Sequence, residues 1–194
     1  MKIMLFGGAF DPPHLGHHSI SKNILDRGIA DEVWYVPAKT HPFSKPLSDS
    51  KHRLSMLNLL IADDKRMSIE TFELEKDGVS YSHETLDALS EKYPEHKFSW
   101  VIGSDNLAKF HLWSDSKDRD YREMLSKHTF YVYPRKGHNF SPLYENMIPL
   151  KDMEEVVVSS TLVKERLASR EDISDLVDKK VIKYIEENKL YASS

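Results

Sequence analysis

Along the chain, apolar residues fall into short blocks separated by turns, and their period changes from block to block. Lys2–Phe6 (KIMLF) is an apolar run closed by Gly7 and Gly8, the pattern of a buried parallel strand. From Leu15 to Arg27, residues Leu15, Ile20, Ile24 and Leu25 share one helical face, and Gly28 is placed to end the helix. Glu32–Pro37 (EVWYVP), rich in β-branched and aromatic residues, reads as a second strand. After the polar, proline-bearing stretch AKTHPFSKPLSDS, a helix is expected from about Lys51 to Ala62, with Leu54, Met56, Leu57 and Ile61 on or near its inner face. Met67–Leu74 alternates as a strand does. SHETLDALSEKY, from Ser82 to Tyr93, reads as a helix whose opening Ser82 and Glu84 offer an N-terminal cap. Phe98–Gly103 and Thr129–Pro134 are further strands. EVVVSST ends a short strand and starts a helix at Ser159 or Ser160, and an amphipathic helix covers roughly Asp178 to Asn188.

Strands alternating with helices predict right-handed βαβ crossovers, hence an α/β fold. The expected architecture is a single-domain, Rossmann-like, doubly wound parallel sheet with helices on both faces, spanning residues 1–194. Composition agrees: 194 residues, 40% hydrophobic and 30% charged, suit one domain with a substantial core. The net charge of -4, with both signs interspersed, leaves no electrostatic footprint for nucleic acid or an anionic membrane. Without cysteine there are neither disulfides nor thiolate metal sites. The apolar run after Met1-Lys2 is too short for a signal sequence or a membrane span, so a cytoplasmic protein is expected.

The candidate chemistry begins at the first turn, GGAFDPPHLGHH (Gly7 to His18). In open α/β sheets, ligands bind at the carboxyl ends of the strands, where Gly7 and Gly8 stand. Glycine there admits a close ligand, and the following helix offers free N–H groups to an anion. The spacing matches neither G-x-G-x-x-G nor G-x-x-x-x-G-K-[ST]. Instead the chain supplies His14 and His17, three apart at a helix start and able to face one pocket, with Gly16 between them leaving room for a substrate. Imidazole N–H donors there suit phosphate oxygens on which charge builds. Spacing alone leaves three readings open: a phosphate site, a metal pair lacking an obvious third ligand, or a helix cap with incidental histidines.

GGAFDPPHLGH resembles the G-x-F-D-P-x-H-x-G-H signature of the nucleotidylyltransferases, specifically the nicotinate mononucleotide adenylyltransferases of bacterial NAD synthesis. Further segments are similar to that family in order along almost the whole chain: SYSHETLDAL, IGSDNLAKFHLW, VSSTLVKERL and YIEENKLY. The resemblance implies an enzyme that transfers adenylyl from ATP to nicotinate mononucleotide, giving nicotinate adenine dinucleotide and pyrophosphate. It implies Mg²⁺ carried with ATP as the cofactor, no metal held by the protein, and ATP and nicotinate mononucleotide as partners; homo-oligomerisation stays open.

By the same resemblance, His14, His17 and Lys45 are catalytic. Gly7, Gly8, Phe10, His14, His17, Gly103, Asp105, Ser159, Ser160, Thr161 and Lys164 bind ATP, and Lys45, Thr85 and Trp113 bind the acceptor. Read on the residues alone, each has a plainer alternative. Ser159 and Ser160 suit an ordinary helix cap, Asp105 a cap, Trp113 the core, and Arg53 of SKHRLSML, which matches the family's helix arginine, a solvated surface charge. Trp34 and Trp100, inside strand-like runs, are assigned to the core. Two departures from the family pattern stand out: Ser44 where histidine is usual, and Lys164 where arginine is usual, which keeps the charge but loses the bidentate fork. The competing acceptors are nicotinamide mononucleotide and phosphopantetheine, whose adenylyltransferases SSTLVKE also resembles. A non-catalytic nucleotide-binding protein is the reading from another class.

Overall fold

The computed structural model describes residues 1–40, 47–79, 81–115, 117 and 119–191. The strands are β1 (Lys2–Gly8), β2 (Glu32–Pro37), β3 (Met67–Ile69), β4 (Lys97–Gly103), β5 (Thr129–Tyr133) and β6 (Met147–Pro149). The helices are α1 (Leu15–Asp26), α2 (Ser50–Ile61), α3 (Phe72–Glu75), α4 (Ser82–Lys92), α5 (Tyr121–Lys127), α6 (Ser160–Ala168) and α7 (Lys179–Glu187), with a 3-10 segment at Ser104–Leu112. The six strands form one sheet of order β3-β2-β1-β4-β5-β6, every neighbouring pair parallel. This is the expected doubly wound sheet.

The sheet is buried on both faces, which is why β1 reads as a near-continuous apolar run rather than an alternating one. Met4 and Phe6 face one core with Ile20, Ile24, Met56, Leu57, Val181 and Ile185. Ile3 and Leu5 face the other, with Leu86, Leu89, Phe98, Trp100, Phe110 and Phe130. α1 ends as its sequence requires: Gly28 takes φ +65, and the Gly28 and Ile29 N–H groups return to the Leu25 and Ile24 carbonyls.

Several expected boundaries move. Gly7 and Gly8 are the last residues of β1 instead of following it. The strand expected over Met67–Leu74 stops at Ile69, because Phe72–Glu75 coil into α3, with the Phe72 N–H held by Glu70 Oε1 at 3.0 Å. The cap of α4 is the backbone of Tyr81, without a side-chain bond; Ser82 is already the first helical residue. Before α6 no strand forms: Val156 makes a single parallel bridge to Arg135. β6 lies in a segment for which no strand is expected from the residue pattern.

Candidate active site

β1 and β4 pair from Lys2↔Lys97 to Leu5↔Trp100 and then part, while each stays paired to its outer neighbour through Gly8↔Pro37 and Gly103↔Tyr133. The separated ends Phe6–Gly8 and Val101–Gly103 line a crevice of about 400 Å³ at the carboxyl edge of the sheet. Here the winding of the sheet reverses, the place where open α/β folds bind ligands. Gly7, Gly8, Gly103, Asp105 and Trp113 all line it, and so does Trp100, assigned to the core from sequence. The glycines are fixed by packing: a Cβ on Gly7 would run into the Trp100 ring, and one on Gly103 into the Asp105 carboxylate and the Arg135 side chain. Gly16 has the same reason, and not the one expected. A Cβ there would come within 2.9 Å of Val156 and 3.0 Å of the His14 ring, so its bareness serves internal packing rather than leaving room for substrate.

His14 is the N-cap of α1 and His17 lies one turn in. Their rings stack with centroids 3.6 Å apart and 20° between planes. The His14 backbone N–H donates to His17 Nδ1 at 3.1 Å. That N–H can only donate, so neutral His17 carries its proton on Nε2, leaving that nitrogen a donor. The ring of Phe10 meets His17 edge-on at 4.9 Å, and Phe6 does so at 5.6 Å. His14 is 3% exposed, and its Nδ1 is buried without a hydrogen-bond partner among the described residues. Burial, helped by the positive Arg135, pushes His14 down to about 3. Burial first, then His14 and Arg135, likewise holds His17 well below its ordinary value. The pair is therefore neutral at pH 7, and an arriving polyanion would favour its charged form.

α6 closes the other side of this turn. Ser159 caps it, accepting the Leu162 N–H at 3.1 Å, so the plain cap reading holds for that residue. Ser160 Oγ donates to the Pro12 carbonyl at 2.8 Å, tying α6 to the motif, and Thr161 is exposed. Lys164 Nζ sits 2.6 Å from Asp11 Oδ2. Arg53 is no surface charge: it is 1% exposed, and its guanidinium donates to the Ala9 carbonyl at 2.8 Å and the Ser48 carbonyl at 3.0 Å. It thereby pins the loop between β1 and α1.

At the far end of the crevice, Trp113 packs on Phe110 with centroids 4.8 Å apart. Thr85 does not line the crevice. It is 1% exposed and donates to Glu73 Oε1 at 2.7 Å, and Glu73 forms part of the wall. The wall continues through His83, Lys109 and Arg119. Arg119 bridges Asp115 at 2.6 Å and Asp87 at 2.7 Å, fixing the segment that carries Trp113 against α4.

A family model, cytidylyltransferase-like, matches residues 5–166. The nicotinate-nucleotide adenylyltransferase of Bacillus subtilis (strain 168) is 34% identical over 194 residues, covering 99% of each chain. The chain belongs to this family of adenylyltransferases. Its fold is also that of the Plasmodium falciparum nicotinic acid mononucleotide adenylyltransferase. In the structure complexed with NaAD the TM-score is 0.79 at 20% identity, over 98% of this chain and 97% of that one. In the structure complexed with APC the TM-score is 0.77 at 20% identity, covering 98% and 96%.

Within this adenylyltransferase fold the expected residues form two groups joined at Phe6, Phe10 and Gly8. One is the group at the first turn, His14, His17, Ser160 and Lys164; the other is the crevice group of Gly103, Asp105 and Trp113. Lys45, with His41, Phe43 and Ser44 of its loop, lies outside the described residues. Sequence reasoning missed Arg135, whose Nη1 donates to the Val158 carbonyl at 2.6 Å and whose Nε lies 3.8 Å from Asp105 Oδ1. Its position just after the β5 run, at the ligand edge, was the available signal. Glu73, His83 and Arg119 gave no such signal, since crossing segments bring them to the wall. Among the described residues no three His, Cys, Asp or Glu side chains converge as a metal site, and no helix is long and apolar enough to cross a membrane.

Proposed function

We propose that this chain transfers the adenylyl group of ATP to nicotinate mononucleotide, releasing pyrophosphate and forming nicotinate adenine dinucleotide for NAD biosynthesis. The observation that carries the reading is the stacked His14–His17 pair on the turn that follows β1, whose carboxyl end lines the switch-point crevice, in a chain 34% identical over its length to a nicotinate-nucleotide adenylyltransferase. ATP enters as its magnesium complex, the ion held by triphosphate oxygens, which suit a hard cation better than imidazole does. The acceptor phosphate attacks the α-phosphorus, the bond to the β-phosphate oxygen breaks, and pyrophosphate leaves with that electron pair.

No protein nucleophile is needed; the chain aligns two polyanions and stabilises charge as it moves. His17, a donor through Nε2, grips the phosphoryl oxygens together with His14. Ser160 and Lys164 serve the departing pyrophosphate, and Lys45 is assigned to the acceptor side. Asp105 accepts hydrogen bonds from the ATP ribose beside Gly103. Trp113 stacks on the pyridine ring, and Thr85 acts through Glu73 and the α4 backbone.

An acceptor panel tests this. Protein and Mg-ATP are incubated with nicotinate mononucleotide, nicotinamide mononucleotide or phosphopantetheine, and pyrophosphate release is measured. Turnover with nicotinate mononucleotide should exceed the others by about tenfold or more, as expected where a site built for one charged group meets its neutral analogue. Equal or faster turnover with another acceptor overturns the assignment, and no release with any leaves a nucleotide-binding protein.

A further inference from the structure

The Asp11 carboxylate takes no part in the mechanism above, yet it is 2% exposed and carries both of its oxygens into a hub of separate chain segments. Oδ2 accepts Lys164 Nζ from α6 at 2.6 Å and the Ser48 N–H, ahead of α2, at 3.2 Å. Oδ1 accepts the hydroxyl of Tyr191, beyond α7, at 2.5 Å. The Tyr191 ring also receives the Lys164 ammonium over its face, 5.1 Å from the centroid. Burial alone would raise the Asp11 carboxyl, but the hydrogen bonds from Lys164, Tyr191 and Ser48 outweigh it and hold it below its ordinary value.

The tail reaches this position only by an unfavourable path. After α7 the chain reverses through Lys189 at φ +51 and Tyr191 at φ +60, left-handed conformations that usually fall to glycine. Such conformations persist where surrounding contacts over-determine them, and the Leu190 N–H returning to the Ile185 carbonyl at 3.0 Å is one of those contacts. The segment YIEENKLY, similar to the family in sequence, thus ends on a residue delivered to the first turn.

We propose that Tyr191 is a positioning residue for adenylyl transfer: by holding Asp11 Oδ1 and lying beneath the ammonium, it sets where Lys164 stands to meet the triphosphate. The inference rests on the reading that Lys164 contacts ATP phosphates. Asp11 has two oxygens and one lysine to satisfy. With Oδ1 occupied by the tyrosine hydroxyl, the carboxylate engages Lys164 through Oδ2 alone, leaving two ammonium protons for phosphate. Without the hydroxyl, Oδ1 loses its 2.5 Å donor, and the carboxylate turns to chelate the lysine with both oxygens. ATP must then compete for Lys164 against a stronger local partner.

Tyr191→Phe removes the hydroxyl and keeps the ring. The KM for Mg-ATP should rise about 3- to 10-fold, within the range of one charge-assisted hydrogen bond. The KM for nicotinate mononucleotide should stay at the parent value, and the melting temperature should fall only by the loss of one hydrogen bond to a buried carboxylate. In a Lys164→Met background, adding Tyr191→Phe should leave the ATP KM where Lys164→Met alone puts it. An unchanged ATP KM in Tyr191→Phe overturns the proposal. So does a rise in both KM values with a lowered melting temperature, which marks a purely structural tail, and so do additive effects in the double variant. If Lys164→Met itself binds ATP like the parent, the phosphate role of Lys164 falls and the proposal with it; a failure of Tyr191→Phe alone leaves that role standing.

Discussion

The histidine turn after β1 and the Trp113 wall of the crevice are organised on different terms. The His14–His17 pair is made by contacts short in sequence: the two are a cap and its N3 residue on one helix, and Phe10 lies four residues before His14. α6 reaches the same turn from 148 and 153 positions away through Ser160 and Lys164. At the Trp113 end, contacts are long: Arg119 reaches Asp87 across 32 positions, and Thr85 reaches Glu73 from another helix. The first arrangement is close to preformed by local geometry. The second depends on the 113–120 segment, α3 and α4 being docked correctly. Changes at the histidine end should therefore separate turnover from stability, whereas changes at the Trp113 end should move both together.

The largest effect is expected at His17. His17→Ala should lower turnover about 10²- to 10³-fold, the loss typical of one preorganised donor on a developing anion. It also removes the acceptor of the His14 N–H, at a stability cost of about 1 kcal/mol. His17→Gln sharpens the comparison, because glutamine at the third helical position can still reach back to the cap N–H. Both variants should lose turnover, and only the alanine should melt lower. Parent-level turnover in His17→Gln would remove this ring from the phosphate site.

Thr85→Val is the counterpart at the other end. It swaps a buried hydroxyl for a methyl and takes one donor away from the Glu73 carboxylate, costing about 1–3 kcal/mol in urea unfolding. The KM for nicotinate mononucleotide should rise more than that for ATP. A variant with parental stability and a changed acceptor KM would mean that Thr85 meets the ligand directly, and turnover and stability would then separate at both ends.

How far each end is legible in the sequence follows from the same distinction. The β1 run, the α1 face, its Gly28 stop and the His14-x-x-His17 spacing are local, and local patterns survive folding. What failed was set by neighbours in space. Arg53 looks like any charged helix residue until the Ala9 and Ser48 carbonyls are found around it. Gly16 looks like a space for ligand until Val156 is found over it. The alternation of Met67–Leu74 is real, but its second half turns into α3 where the Glu70 side chain takes the Phe72 N–H. β6 is a three-residue edge strand, Met147–Pro149, too short to leave a period. Thr85 falls in a segment similar to the family, yet only the structure reveals that its hydroxyl points to Glu73.

Acid should also act mainly through the histidine end. His14 has a folded value of about 3 against an ordinary 6.5. Below pH 6.5 the unfolded chain binds a proton that the folded chain refuses, so stability is full above 6.5 and falls as the pH drops towards 3. At pH 5 the His14 contribution to that loss is on the order of 2 kcal/mol. His14→Gln should flatten the stability profile between pH 7 and pH 5 by that amount, read from urea midpoints at the two pH values. An unaltered slope would mean that His14 is solvated, contrary to its burial.

The smallest effect, and the finest test of the contrast, is at Trp113. One side of its indole is supported by Phe110 at 4.8 Å and the edge of Phe130 lies at 6.5 Å, while the residue also forms crevice wall. Trp113→Phe keeps an aromatic ring on that support but shrinks the surface offered to a pyridine. An aromatic pair is worth about 0.5–1.5 kcal/mol beyond its buried area, so the acceptor KM should rise roughly 3- to 10-fold, with the ATP KM unmoved. Since Trp113 is also held through Phe110, the melting temperature should fall slightly in the same variant. A loss of stability without a change in acceptor KM would return Trp113 to the core and move the pyridine site towards Trp100, the other indole in the crevice wall.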